Sequence, residues 1–170
     1  MNVFLCQKSK TIMLKFYNYD IVFQEVPDEI TLALNITGCP NRCPGCHSMH
    51  LWKDEGIDMT ADTLCKVIGP YLESVTCVGL MGGDQDPQEI QRLACWLRET
   101  YPGLKVAWYS GRQLLPEGFD IHCMDYIKLG PWIAERGTLK NPNTNQRLYR
   151  VTSDGLNDIT ARFRSPFATD

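Results

Sequence analysis

Two hydrophobic rhythms alternate along this chain. Ile30-Thr-Leu-Ala-Leu-Asn-Ile36 and Val75-Thr-Cys-Val-Gly-Leu-Met81 are short and almost uniformly apolar, a pattern that predicts strands covered on both faces. Leu104-Lys-Val-Ala-Trp-Tyr109, Asp125-Tyr-Ile-Lys-Leu129 and residues 146–151 read as three more strands. Between the first two runs, Leu64, Val67, Ile68, Tyr71 and Leu72 recur at helical spacing behind a Thr60 N-cap, with a distortion expected at Gly69-Pro70. A second helix starts at Asp86 as N-cap, with Pro87 at its first position and Glu89 as a capping-box acid. Ile90, Leu93, Ala94 and Leu97 make its apolar face, and Pro102-Gly103 stops it.

Residues 111–120 are rich in turn formers, so the following crossover is expected to be short or irregular. Met13 opens a more domain-like sequence than the twelve residues before it. Residues 1–12 therefore read as a dispensable N-terminal extension and residues 13–170 as one domain. Strand, helix, strand, helix, strand is the signature of an α/β fold with βαβ units on a parallel sheet. At 170 residues the chain is short for a complete eight-stranded barrel. In such sheets the strand C-termini share an edge where active sites form. Four motifs follow strands here: a cysteine loop, Gly82-Gly83-Asp84, Tyr109-Ser-Gly111 and Gly130-Pro131.

Composition narrows the class without naming a chemistry. The chain is 44% apolar and 22% charged, as an ordinary globular protein is. Its net charge of -3 divides into -6 over residues 1–127 and +3 beyond, which reads as solvated surface. No dense basic stripe suggests nucleic acid, no apolar run is long enough to span a membrane, and Val3-Phe-Leu-Cys6 is too short for a signal-peptide core. The expected location is cytoplasmic. Cys6, Cys65, Cys77, Cys95 and Cys123 are scattered singly and read as buried small hydrophobes, not as a disulfide framework.

The other three cysteines carry the chemistry. Cys39, Cys43 and Cys46 are spaced C-x3-C-x2-C and can converge on one metal centre with an open coordination position. Thiolates suit an iron–sulfur cluster or zinc. For zinc, His47 or His50 would complete the set and the protein would be a zinc-stabilised binding module. Gly45 removes a side chain beside the last cysteine, and Pro40 and Pro44 stiffen the loop. The glycines of Gly82-Gly83-Asp84 either make a tight turn or let a ligand approach the backbone, with the Asp84 carboxylate suited to an ammonium group. Trp108 and Tyr109 read as core. Lys128 is either a carboxylate partner or a snorkelling surface lysine.

With these residues in view, the chain resembles the radical S-adenosylmethionine (SAM) superfamily. Within it, the chain is similar to the activating proteins of anaerobic (class III) ribonucleoside-triphosphate reductases. Cys39-Pro-Asn-Arg-Cys43-Pro-Gly-Cys46-His47 is similar to that family's cluster loop, and Met81-Gly-Gly-Asp84 to its SAM-contacting motif. Trp108-Tyr-Ser-Gly111, Tyr126-Ile-Lys-Leu-Gly-Pro-Trp132 and Thr144-Asn-Gln-Arg147 resemble further family motifs, although Leu129 stands where the family often has an acid. The resemblance implies an incomplete, parallel β/α barrel of the radical SAM type. It implies a [4Fe–4S] cluster on Cys39, Cys43 and Cys46, and SAM bound near Gly45, His47, Gly82, Gly83, Asp84, Pro131, Trp132 and Ile133. A one-electron donor such as a flavodoxin or ferredoxin would reduce the cluster. A 5′-deoxyadenosyl radical would then take a hydrogen atom from a glycine of the reductase. A small radical SAM enzyme acting on a small molecule, such as a deazapurine synthase, is the alternative within the superfamily.

Overall fold

The computed structural model describes residues 13–165, so the extension expected over residues 1–12 lies outside the described residues. Along the chain run β1 (Lys15–Val22), β2 (Thr31–Ile36), β3 (Ile57–Asp58), α1 (Ala61–Ile68), β4 (Cys77–Met81) and α2 (Pro87–Thr100). They are followed by β5 (Lys105–Tyr109), β6 (Tyr126–Leu129), β7 (Arg147–Thr152) and β8 (Gly155–Asp158). All eight strands form one sheet in the order β3-β1-β2-β4-β5-β6-β7-β8.

Strands β2, β4, β5 and β6 are mutually parallel, as the alternation of strands and crossovers requires. The flanks differ from the all-parallel expectation. β1 and β3 join one side antiparallel, and β7 and β8 the other. Antiparallel neighbours need no crossover helix, and β7 turns into β8 across Ser153-Asp154 alone. The sheet does not close, since β3 and β8 end at opposite edges.

The apolar runs are strands buried on both faces. Leu32, Leu34, Val78, Leu80, Val106, Trp108 and Ile127 pack under the helices against Leu64, Ile68, Ile90, Leu93 and Leu97. The alternate positions Cys77, Ala107, Tyr126 and Leu148 form a second cluster with Val26 and Ile159. Period-2 alternation thus feeds two cores at once. Trp108 is fully buried, stacks on Phe119 at 4.8 Å and donates its indole N–H to the Gly82 carbonyl at 2.8 Å. The Tyr109 hydroxyl donates to the Glu25 carbonyl, and burial raises its pKa.

The helix signals hold with two local differences. Thr60 caps α1 by accepting from Thr63 N at 3.2 Å, and the helix gives way at Gly69–Tyr71 to a 3-10 turn containing Pro70. Leu72, expected on the apolar face, is exposed because this turn ends the helical register. Asp86 caps α2 by accepting from Glu89 N at 3.0 Å. The Glu89 side chain does not complete the capping box; it forms a two-pronged pair with Arg92 at 2.6 and 2.7 Å. Between β5 and β6 the crossover contains no helix, as the turn-rich sequence requires.

Candidate functional site

The cysteine loop leaves the end of β2 and is pinned at its root. Gly38 N donates to Lys53 O and Cys39 N to Leu51 O, both at 3.0 Å, while Gln85 Nε2 donates to Thr37 O at 2.6 Å. Farther along, Cys46 N donates to Cys43 O at 3.1 Å, closing a turn in which Gly45 has φ +68°. A side chain at that φ is strained, so the backbone favours glycine there. Nitrogen donors already approach the sulfurs. Ser48 N lies 3.4 Å from Cys46 Sγ, and Asn41 Nδ2 lies 3.8 Å from Cys39 Sγ. Burial pushes the Cys39 thiol up, while the backbone N–H groups of Asn41 and Arg42 pull it back.

Asp84 joins three strand ends. It is 1% exposed, and its carboxylate accepts from Ser110 Oγ at 2.6 Å, Gly111 N at 2.8 Å and Asn41 Nδ2 at 2.5 Å. Arg112 Nη2 also donates to the Asp84 carbonyl at 2.7 Å. The β4 end, the β5 end and the cysteine loop therefore meet at one buried carboxylate. A side chain at Gly111 would strike Asn41 Nδ2, so the Ser110-Gly111 turn is shaped to this contact. Asn41, Gln85 and Ser110 were not singled out as site residues by the sequence. Their signal was position alone, since each lies within or beside a strand-end motif.

Gly82 and Gly83 have φ values of +112° and +86°. A Cβ on Gly83 would come within 2.6 Å of Ile90 Cγ1, so this turn is also packed against α2. Gly83→Ala combines left-handed strain with overpacking and should destabilise the apo protein by about 3 kcal/mol, read by urea unfolding. A change below about 1 kcal/mol would show that the turn relaxes freely.

Beside the loop lies a cleft of about 420 Å³ lined by Pro44, Gly45, Trp132, Ile133, Ala134 and Glu135. Its size falls in the range of small-molecule sites. Pro131 is fixed by Asn145 Nδ2, which donates to its carbonyl at 2.9 Å. The His47 ring meets the Trp132 ring edge-on at 4.7 Å, and His50 meets Tyr17 at 5.1 Å. Lys128 is buried, not snorkelling, with Nζ donating to Gly130 O at 2.6 Å. Burial lowers its pKa to about 8, and the charges of Asp84 and Cys43 oppose that shift. A second cleft of about 430 Å³, among Gln24, Tyr109, Leu139 and Phe163, contains no cysteine.

The remaining cysteines need a correction. Cys95 and Cys123 are joined in a disulfide with Cα atoms 4.9 Å apart, tying α2 to the approach of β6. Their separation of 28 residues concealed a pairing that only the packing of the crossover creates. Cys65 is exposed, whereas Cys77 is buried as expected; Cys6 lies outside the described residues.

Cys39, Cys43 and Cys46 are free and half-buried. Among the described residues, no three His, Cys, Asp or Glu side chains are grouped closely enough to hold a metal ion. The donor chemistry nevertheless fits an iron–sulfur centre: three soft thiols lie on one loop stiffened by two prolines, and N–H groups face two of the sulfurs.

The match to known sequences agrees with this chemistry. The chain belongs to the 4Fe-4S single cluster domain family, whose model matches residues 30–127, from β2 to β6. It is also similar to the anaerobic ribonucleoside-triphosphate reductase-activating protein of Enterobacteria phage T4. The two are 26% identical over 139 residues, an alignment covering 74% of this chain and 86% of the phage protein. No solved structure matches. Among the described residues, no helix is long and apolar enough to cross a membrane.

Proposed function

We propose that this protein is a radical SAM activase that installs a glycyl radical on an anaerobic ribonucleoside-triphosphate reductase. The observation that carries the reading is the Asp84 junction, which ties the three-cysteine loop to the ends of β4 and β5. The open sheet is read as the incomplete β/α barrel of that superfamily, with its unclosed side available to a protein substrate. The phage relative's name supports the choice of partner.

Cys39, Cys43 and Cys46 would hold a [4Fe–4S] cluster, leaving one iron without a protein ligand. When bound and reduced by a flavodoxin or ferredoxin, that cluster would supply one electron for the reductive cleavage of SAM, the chemistry by which hydrogen would be taken from a glycine Cα of the reductase. The protein's own work is to bind, orient and exclude water. Gly45, His47, Trp132 and Ile133 would bound the ligand beside the cluster loop, and Pro131 would fix the entry of that wall. Gly82-Gly83-Asp84 would present backbone and carboxylate to the methionyl end of SAM. In the fold Asp84 already accepts three hydrogen bonds, so it would hold an ammonium group only by sharing an oxygen. Lys128, buried on the same edge, offers a cation for a carboxylate.

Anaerobic reconstitution with iron and sulfide, followed by SAM, reductant and the reductase, tests the proposal. The expected result is 5′-deoxyadenosine together with a glycyl doublet in the reductase by electron paramagnetic resonance. 5′-Deoxyadenosine without that doublet would reassign the protein to a small-molecule radical SAM reaction. Stoichiometric zinc without iron or sulfide would point to a zinc-stabilised module.

A further inference from the structure

We propose that the indole N–H of Trp132 donates a hydrogen bond to a sulfur of the iron–sulfur centre and so raises its reduction potential. This rests on the cluster reading above and assigns Trp132 a role distinct from walling a ligand. Trp132 Nε1 is buried and has no hydrogen-bond partner among the described residues. Leaving a buried N–H unpaired is costly, so such donors are seldom left without an acceptor in the working state.

The location of the orphan donor says what that acceptor is. Trp132 Nε1 lies 3.8 Å from where a Cβ on Gly45 would stand, over the residue immediately before Cys46. The ring is held from two sides. His47 packs against it edge-on at 4.7 Å, and the Pro131 carbonyl before it is anchored by Asn145 at 2.9 Å. The loop already directs nitrogen donors at its sulfurs, from Ser48 N to Cys46 and from Asn41 to Cys39. Trp132 brings a third N–H to the same loop from a distant part of the chain. A glycine at position 45 leaves that approach clear, since any long side chain there would come between the indole and the loop.

The physical effect has a definite sign. One-electron reduction makes the cluster more negative, and an N–H donor stabilises the reduced form more than the oxidised form. Hydrogen bonds to the sulfurs are among the main controls of iron–sulfur potentials. Trp132 is therefore a positioning and tuning residue, not a ligand.

Trp132→Phe keeps an aromatic ring against His47 and removes the donor. Wild type and variant are reconstituted anaerobically, assayed for iron and sulfide, and titrated by electron paramagnetic resonance of the reduced cluster. The expected result is equal iron content with a more negative midpoint potential in the variant. An unchanged or more positive midpoint at equal iron content overturns the proposal, as does a variant that loses only SAM affinity. If the variant fails to hold iron at the wild-type ratio, wild type labelled with ¹⁵N at the indole decides the matter. A ¹⁵N or exchangeable-proton coupling to the reduced cluster in pulsed resonance supports the hydrogen bond, and its absence overturns it. Wild type that assembles no iron–sulfur centre refutes the functional reading itself, a result distinct from either variant outcome.

Discussion

Replacing Cys43 by alanine should abolish iron–sulfur assembly and SAM cleavage while leaving the apo fold intact. Three thiolates are the minimum that holds a four-iron cluster with one iron open; with two, the centre loses both charge balance and anchorage. Nothing in either hydrophobic core includes Cys43, which sits half-buried in a loop. The unfolding free energy of the apo protein should therefore change by no more than about 0.5 kcal/mol. Two measurements check this: iron and sulfide content after anaerobic reconstitution, and 5′-deoxyadenosine release. Undiminished cleavage by Cys43→Ala would remove the three-cysteine centre from the mechanism.

Asp84→Ala should produce a loss of stability as large as that of Gly83→Ala. The carboxylate accepts from Ser110, Gly111 and Asn41 in a buried setting, and truncation leaves those donors without their acceptor. A cost of about 3 kcal/mol is expected by urea unfolding of the apo protein. Asp84→Asn should cost less, about 1–2 kcal/mol. Its single carbonyl can still accept from Gly111 and Asn41, while its amide can donate to Ser110 Oγ, which has acceptor capacity. Equal costs for the two variants would show that charge, not hydrogen-bond geometry, holds the junction. Because Asn41 reaches from the cysteine loop to Asp84, the alanine variant should also take up iron more slowly than wild type at equal protein concentration.

Much of this site was legible in the chain because its signals are local. The C-x3-C-x2-C spacing, the strand running into it and the strand-to-glycine transition at Met81-Gly82 each depend on neighbours a few residues apart. Caps at Thr60 and Asp86 were equally local, and both appear as expected. The antiparallel flanks were harder to read. β3 has only two residues and β1 exposes Tyr17, Tyr19 and Ile21, so neither carries the apolar run that marked the central strands. The Cys95–Cys123 pair and the shared contacts at Asp84 escaped for a different reason: their partners are brought together by packing across 26 or more residues.

By itself, then, the sequence determined the class of element at β2, β4, β5, β6 and β7, the order of the central β-α-β units and the three-thiol spacing on which the proposed cluster rests. Tertiary structure alone decided that the sheet stays open between β3 and β8, and that Asp84 binds the cysteine loop to β5. It also brought Trp132 over Gly45 with an indole N–H that has no acceptor among the described residues. Backbone propensity and hydrophobic period act over a few residues. Hydrogen bonds and close packing instead select among side chains that only the completed sheet makes neighbours.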